Sequence, residues 1–222
     1  MRIISISNQK GGVGKTTTTV NLAASLAVNK KKVLLIDLDP QGNATSGAGL
    51  NKAVLSSSIY DVLIEQKTIK DVVLHSEDGL FDVAPANQSL AGAEIELVDI
   101  KNREFILKKA IETLALNYDF ILIDCPPALN LLTVNALVAS NSVLIPMQCE
   151  YYALEGLSDL VNTIRRVKKN LNPEIEIEGL LRTLFDKRNT LTKQVSDQLS
   201  SHFGPKVYET IIPRNVRLAE AP

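Results

Sequence analysis

The chain has 222 residues, 45% of them hydrophobic and 5% aromatic, with a formal net charge of -1. This length suits one substantial hydrophobic core, and no stretch is apolar over the length that a membrane-spanning helix needs. Residues 1–7 lead directly into a glycine-rich loop without a cleavage site, which argues against a signal peptide. We therefore expect a cytosolic protein in which Cys125 and Cys149 are reduced core thiols.

The charge is distributed unevenly along the chain. Residues 182–217 contain seven Lys or Arg and three acidic residues, so this segment carries +4 and the remainder carries -5. Such an asymmetry permits a face that binds polyanions, but it does not establish one.

Short apolar or β-branched runs alternate along the chain with segments of helical periodicity. Strands that are apolar on both faces and joined through helices predict a single α/β domain over residues 1–222, with a doubly wound, mostly parallel sheet. Residues 40–58, rich in Gly, Asn and Ser, are predicted to form a long mobile loop. The predicted strands are 3–7, 32–39, 80–86, 120–127, 142–147, 175–185 and 206–213. The predicted helices are 16–29, 59–65, 101–117, 130–140, 152–171 and 190–203.

The first strand leads into "NQKGGVGKTTTT", which begins at residue 8 and has the features of a phosphate-binding loop. Gly11, Gly12 and Gly14 allow backbone amides to turn inward, because a residue without Cβ accepts positive φ and close approach. Together with the positive end of the helix that follows, these amides form an anion cradle. Lys15 would reach the β- and γ-phosphates of a nucleotide, and the Thr16 hydroxyl would bind Mg²⁺. A chance glycine-rich turn would not be expected to place strand, loop, Lys-Thr and helix in register.

The loop departs from the standard pattern G-x-x-x-x-G-K-[ST], because Gln9 stands where the first glycine is expected. A second lysine, Lys10, precedes the glycines instead. A phosphate loop needs only one lysine, so the function of Lys10 has to come from elsewhere in the chain.

Three carboxylates are predicted near this loop, because ligands of open parallel sheets lie beyond the carboxyl ends of the strands. Asp124 ends "FILID" and is a candidate for the Mg²⁺ site, with a helix cap as the alternative. Asp37 and Asp39 end "VLLIDLD"; two residues apart in an extended strand, they would point the same way. We expect Asp39, the outer residue, to orient the attacking water, and Asp37 to support either the metal or the loop. A solvated turn is the alternative for either residue.

Taken together, "KGGVGKT", "DLDPQGNAT" and "ILIDCPP" resemble the deviant Walker A ATPases, and within them the chromosome and plasmid partition proteins of the ParA/Soj type. The resemblance extends to "PMQCEYYALEGL", "LFDKRNTLTKQV" and "IPRNVRLAEAP", so it covers nearly the whole chain. It implies a P-loop ATPase that uses ATP and Mg²⁺ and forms an ATP-bound sandwich homodimer. In that dimer Lys10 would reach the partner's phosphates, since phosphoryl transfer needs cations around the γ-phosphate.

The resemblance also implies roles for individual residues. Gly12 would lie at a close dimer contact, and Arg188 and Arg217 would bind DNA phosphates without sequence preference. An exposed basic face is the alternative for these two arginines. The implied catalytic residues are Lys10, Lys15 and Asp39; the implied metal site comprises Thr16, Asp37 and Asp124. The implied nucleotide contacts are Lys10, Gly11, Gly12, Val13, Gly14, Lys15, Thr16 and Thr17 of the loop, with Thr183, Pro213, Arg214 and Asn215 near the adenine.

Members of this family usually continue for some tens of residues beyond "RLAEAP" with a final helix, so we expect this chain to lack that helix. The family function would be a DNA segregation switch in the cytoplasm, associated with the nucleoid and stimulated by a ParB/Spo0J-type centromere-binding protein. One alternative is a MinD-like division-site ATPase, which would need a C-terminal amphipathic helix for membranes that the sequence does not contain. The other is a metabolic ligase or an iron–sulfur reductase, but neither cysteine has a clear cluster setting.

Overall fold

The computed structural model describes residues 1–114, 117–151 and 153–215, and within them eight strands form one sheet. The strands are β1 (Arg2–Ile6), β2 (Val33–Asp37), β3 (Leu74–Ser76), β4 (Phe81–Ala84), β5 (Phe120–Asp124), β6 (Ser142–Gln148), β7 (Glu176–Phe185) and β8 (Val207–Pro213). Their order in the sheet is β3-β4-β2-β5-β1-β6-β7-β8. Only the pair β3–β4 is antiparallel among these strands. The predicted mostly parallel sheet is therefore confirmed.

Helices cover both faces of the sheet, as a doubly wound fold requires. The α-helices are α1 (Lys15–Val28), α2 (Asn43–Gly47), α3 (Ile59–Leu63), α4 (Ile69–Val72), α5 (Leu90–Glu96), α6 (Ile106–Glu112), α7 (Leu131–Ala139), α8 (Ala153–Asn170) and α9 (Thr190–Phe203). Helices α1 and α2 pack on one face of the sheet, and helices α3 to α9 pack on the other. No described helix has both the length and the apolar character needed to cross a lipid bilayer.

The central strands are buried on both faces because their successive side chains point into two different clusters. On β1, Ile3 packs with α3 and α5 to α7, whereas Ile4 packs with α1 and α2. All five residues of β2 are buried. This explains why these strands show unbroken apolar runs instead of alternation. The two cysteines are buried, unpaired thiols in separate clusters, as expected for core thiols.

The segment 40–58 differs from the mobile loop that its composition suggested. It contains α2 and a 3-10 turn (Lys52–Val54), and Ala44 and Thr45 of α2 are fully buried. Burial of these two side chains outweighs the turn-forming preference of the surrounding Gly, Asn and Ser. The predicted helix 101–117 is also shorter, since α6 covers only Ile106–Glu112 after a 3-10 turn. The short elements α4, α5 and β3 were not predicted; α4 and β3, with four and three residues, are too short to show a period.

Parallel pairing brings the carboxyl ends of five strands to the same edge of the sheet. These strands end at Ile6, Asp37, Asp124, Gln148 and Phe185. Asp37 lies directly opposite Asp124 in the register of β2 and β5. Residues far apart in sequence are thereby placed around the loop that follows β1.

Candidate functional site

The phosphate-binding loop connects β1 to α1 at the carboxyl edge of the sheet. Gly12 and Gly14 have φ of +72° and +83°, so both lie in the left-handed region that favours glycine. Helix α1 begins at Lys15 directly after Gly14, and no side chain caps its first turn. The amides of that turn are therefore available to an anion, and the helix dipole favours negative charge there.

Lys15 spans the loop. Its Nζ donates a hydrogen bond to the Lys10 carbonyl oxygen over 3.2 Å, and the residue as a whole is buried. Burial lowers the pKa of Lys15, and the negative charge of Asp124 opposes this shift. A partly desolvated cation at the centre of an anion cradle is the arrangement that a phosphate group would complete.

Asp124 lies beneath the first turn of α1 with both carboxylate oxygens engaged. Thr16 Oγ1 donates to its Oδ2 and Thr19 Oγ1 to its Oδ1, each over 2.8 Å. Burial raises the pKa of Asp124 to about 7, and the charge of Asp37 adds to this rise. Two facing buried carboxylates repel each other, and a divalent cation relieves that repulsion.

The residues therefore fit Mg²⁺, with Thr16 and Asp124 placed to hold it directly or through water. Among the described residues no group of three or more His, Cys, Asp or Glu forms a complete metal cage. Mg²⁺ is usually bound through one or two protein groups together with substrate phosphates and water. When bound, the ion would neutralise charge on the transferring phosphoryl group.

Asp37 and Asp39 do not lie in one extended strand, which was the premise for predicting that they point the same way. Strand β2 ends at Asp37, and Asp39 begins a turn in which its carbonyl accepts from the Gly42 amide over 2.8 Å. Burial raises the pKa of Asp37 to about 6. Its carboxylate accepts hydrogen bonds from the amide and hydroxyl of Thr45, over 2.8 and 2.7 Å, and from the Asp39 amide over 3.1 Å.

These contacts favour the loop-supporting alternative for Asp37, because they tie the segment after β2 to the end of that strand. Asp39 is only partly buried, and its Oδ1 accepts from the Gln41 amide over 2.9 Å. It stands further out than Asp37, where a water molecule has access. The metal role of Asp37 and the catalytic role of Asp39 remain predictions.

The second lysine lies outside the cradle that Lys15 occupies. The amine of Lys10 forms an ion pair with Glu150, which follows the end of β6. The Lys10 side chain is 38% exposed, whereas Lys15 is buried. The two lysines of the loop therefore have different surroundings, and only Lys15 is directed into its own loop.

The predicted adenine-binding residues lie at the same edge, on β7 and after β8. The Thr183 hydroxyl donates to the Val13 carbonyl over 2.7 Å, which joins β7 to the phosphate loop. The Arg214 amide donates to the Phe185 carbonyl over 3.1 Å and so holds the segment from Pro213 to Asn215 beside the end of β7. Gly11 and Thr17 are exposed at the mouth of the loop.

Arg188, predicted to bind DNA, lies just beyond the end of β7 with a side chain that is 90% exposed. Its guanidinium forms a bidentate pair with Asp186, with Nε to Oδ1 at 3.0 Å and a terminal nitrogen to Oδ2 at 2.9 Å. This pair lowers the pKa of Asp186 to about 2. The exposed side chains of Lys187 and Arg214 add to the basic character of this end of the sheet. Arg217 lies outside the described residues.

Sequence reasoning missed four polar residues of the site: Asn8, Thr19, Thr45 and Glu150. Thr19 and Thr45 are fully buried and bind Asp124 and Asp37, respectively. A threonine four residues after Lys15, on the face of α1 that also buries Ala23, is a signal that could have identified Thr19. No pattern in the sequence pairs Glu150 with Lys10, since 140 positions separate them.

The fold and this loop define a P-loop ATPase with a second lysine in its phosphate-binding segment. A family model described as an AAA domain matches residues 1–177. The sporulation initiation inhibitor protein Soj of Bacillus subtilis is 57% identical over 221 residues, which cover 100% of this chain and 87% of that protein. The chromosome partitioning protein ParA of Myxococcus xanthus is 54% identical over 221 residues, covering 100% and 78%.

Solved structures agree in fold. A cobyrinic acid a,c-diamide synthase from Mycobacterium smegmatis, with bound ATP analogue and magnesium, has a TM-score of 0.92 at 37% identity, covering 100% of this chain and 91% of that one. A plasmid partition protein from Borrelia burgdorferi has a TM-score of 0.82 at 32% identity, covering 99% and 94%. The chain belongs to the ParA/Soj family of partition ATPases.

Proposed function

We propose that this protein is an ATP- and Mg²⁺-dependent switch that acts in DNA segregation. Two subunits pair around two ATP molecules, and the pair binds DNA without sequence preference. Hydrolysis, stimulated by a centromere-binding protein of the ParB/Spo0J type, separates the subunits and releases the DNA. The protein acts in the cytoplasm on the nucleoid and has no membrane partner.

The observation that carries this proposal is the separation of the two lysines. Lys15 is buried in its own phosphate loop, whereas the Lys10 amine lies outside that loop on Glu150. A cation at the mouth of the site can approach the γ-phosphate of a facing subunit, where it would stabilise developing charge. Gly12 supports this geometry, since among the described residues no atom beyond Gly12 and its two chain neighbours would lie within 4 Å of a Cβ at this position. That open space leaves room for a second backbone.

The DNA-binding part rests on the position of the basic residues. Lys187, Arg188 and Arg214 are exposed beyond the carboxyl ends of β7 and β8, on the same edge as the phosphate loop. Subunits that pair through that edge would bring two such basic clusters into one assembly. Doubling the number of phosphate contacts makes the affinity for DNA depend more strongly on whether the subunits are paired and on the salt concentration.

A test is retention of the protein on random-sequence duplex DNA with Mg²⁺ and either ATP or ADP. We expect retention with ATP only, and we expect it to be lost on raising the salt from about 0.1 M to about 0.5 M, because counterions compete with phosphate contacts. Equal retention with ATP and ADP would contradict the switch. Retention that depends on DNA sequence would contradict backbone recognition.

A second candidate function is amide synthesis, because one of the structurally similar proteins is named a cobyrinic acid a,c-diamide synthase. The relatives named as partition proteins are more similar in sequence, at 57% and 54% compared with 37%. The assay that separates the two functions is ATP turnover with cobyrinic acid and an ammonia donor, set against turnover with DNA. Turnover dependent on cobyrinic acid would favour the synthase.

A further inference from the structure

Three contacts hold Lys10 within its own subunit. Its amide donates to Asn8 Oδ1 over 3.0 Å, its carbonyl accepts from Lys15 Nζ over 3.2 Å, and its amine pairs with Glu150. Asn8 is buried and fixed in turn, because its amide nitrogen donates to the Pro146 carbonyl over 2.8 Å. The start of the phosphate loop is therefore attached to the end of β6 through both its backbone and the Lys10 side chain.

Glu150 lies in a defined turn between β6 and α8. Its amide donates to the Gln148 carbonyl over 2.9 Å, and its carbonyl accepts from the Ala153 amide over 3.0 Å. The backbone of Glu150 is thus fixed at both sides, and its carboxylate cannot follow Lys10 far from the subunit. The two side chains of the pair are 38% and 46% exposed, so water and a second subunit can both reach them.

A single amine cannot remain on Glu150 and also serve the phosphates of a facing subunit. We propose that Glu150 is a positioning residue: it holds Lys10 on its own subunit and thereby sets how readily the ATP-bound dimer forms. This inference rests on the proposed role of Lys10 across the dimer. It adds a competing interaction inside each subunit that pairing must break.

Nucleotide binding would weaken the same set of contacts. The Lys15 amine that now binds the Lys10 carbonyl is the group expected to turn to the β- and γ-phosphates. Once Lys15 makes that move, Lys10 loses this contact and keeps those to Asn8 and Glu150. ATP in one subunit therefore loosens the lysine that this subunit offers to its partner, which couples nucleotide occupancy to pairing.

The test is the dimer dissociation constant with Mg²⁺-ATP, measured by sedimentation for wild type and Glu150→Gln. The exposed ion pair stabilises the unpaired subunit by only a small free energy. A symmetric dimer must break two such pairs, so we expect Glu150→Gln, which lacks them, to dimerise roughly 2- to 25-fold more tightly than wild type. Glu174→Gln is the matched control, because Glu174 is exposed before β7 at the opposite edge of the sheet. It should behave as wild type.

Salt provides a readout that a packing effect would not change. The dimer dissociation constant of wild type divided by that of Glu150→Gln should fall towards one as ionic strength rises from about 0.05 M to about 0.5 M. The reason is that salt screens an exposed ion pair. A Glu150→Gln dimer that is equal to or weaker than the wild-type dimer at low salt would overturn the inference. So would a ratio that does not depend on salt.

Lys10→Ala separates failure of this inference from failure of the proposed function. If Lys10→Ala still forms the ATP dimer, the role of Lys10 across the dimer is wrong, whatever Glu150 does. If Lys10→Ala is monomeric and Glu150→Gln dimerises no more tightly than wild type, only the inference about Glu150 fails. The double variant Lys10→Ala with Glu150→Gln should be monomeric, because the glutamate acts through the lysine alone.

Discussion

Asp124→Asn should make the fold more stable at pH 8 while removing its response to Mg²⁺-ATP. Burial beside Asp37 raises the pKa of Asp124 from 3.8 to about 7. In the unfolded chain the carboxyl ionises near pH 4, so between about pH 4 and 7 the folded protein binds the additional proton. Wild-type stability therefore falls as the pH rises through this interval and is constant above it. Asparagine carries no charge, so the variant avoids this loss.

The size of the gain in folding stability follows from the shift in the pKa of Asp124. A shift of roughly three pKa units corresponds to at most about 4 kcal/mol at pH 8. Asparagine keeps the contacts to Thr16 and Thr19 as weaker neutral hydrogen bonds, which leaves a gain of about 2 kcal/mol. For a domain of this size, that gain raises Tm by about 4–8 °C. At pH 5 the wild-type carboxyl is mostly protonated in the fold, so the difference in stability between Asp124→Asn and wild type should be much smaller.

The assay is thermal unfolding of wild type and Asp124→Asn at pH 5 and pH 8, with and without Mg²⁺-ATP. Asp78→Asn, at an exposed site, is the control for removing one negative charge. Without nucleotide the variant should be the more stable protein at pH 8. With Mg²⁺-ATP, only wild type should gain stability through binding. A variant that is less stable than wild type at pH 8 without nucleotide would refute the argument that Asp124 is held as a repelled buried charge.

Four other substitutions test the remaining parts of the site. Lys15→Ala should abolish ATP binding measured by calorimetry, and unchanged affinity in a folded variant would refute the assignment of the loop. Asp39→Ala should slow ATP turnover by about 10²-fold or more and trap the ATP dimer, since the cradle remains while the attacking water loses its base; turnover at the wild-type rate would exclude this role. Arg188→Glu should remove DNA retention and leave the ATP dimer intact. Asp186→Asn, which frees the Arg188 guanidinium, should increase DNA affinity about two- to fivefold; an unchanged affinity would show that the pair does not restrain Arg188.

Much of the fold was predictable because parallel strands buried on both faces leave unbroken apolar runs between periodic helices. The strands 32–39 and 120–127 were predicted from such runs, and they form β2 and β5 with slightly tighter limits. Segment 40–58 was misjudged, because the burial of Ala44 and Thr45 depends on a core that composition does not reveal. Local residue preferences favoured a loop there, and tertiary packing produced a helix.

The candidate site was predictable where local spacing carries the chemistry. The loop from Lys10 to Thr16 and the strand-end residue Asp124 follow from such spacing, and the structure places them together at one edge. Asp37 and Asp39 show the limit of this approach, since their spacing was read as one extended strand, whereas β2 ends at Asp37 and Asp39 begins a turn. The contact between Lys10 and Glu150 joins two loops that only the sheet order brings together.

The most direct test of the central claim is the mass of the protein in solution with Mg²⁺-ATP, measured by light scattering for wild type and Lys10→Ala. Lys70→Ala, at an exposed lysine on α4, is the matched control. The account predicts dimers for wild type and Lys70→Ala with ATP but monomers with ADP, and a monomer that still binds ATP for Lys10→Ala. An ATP dimer of normal affinity formed by Lys10→Ala would contradict it.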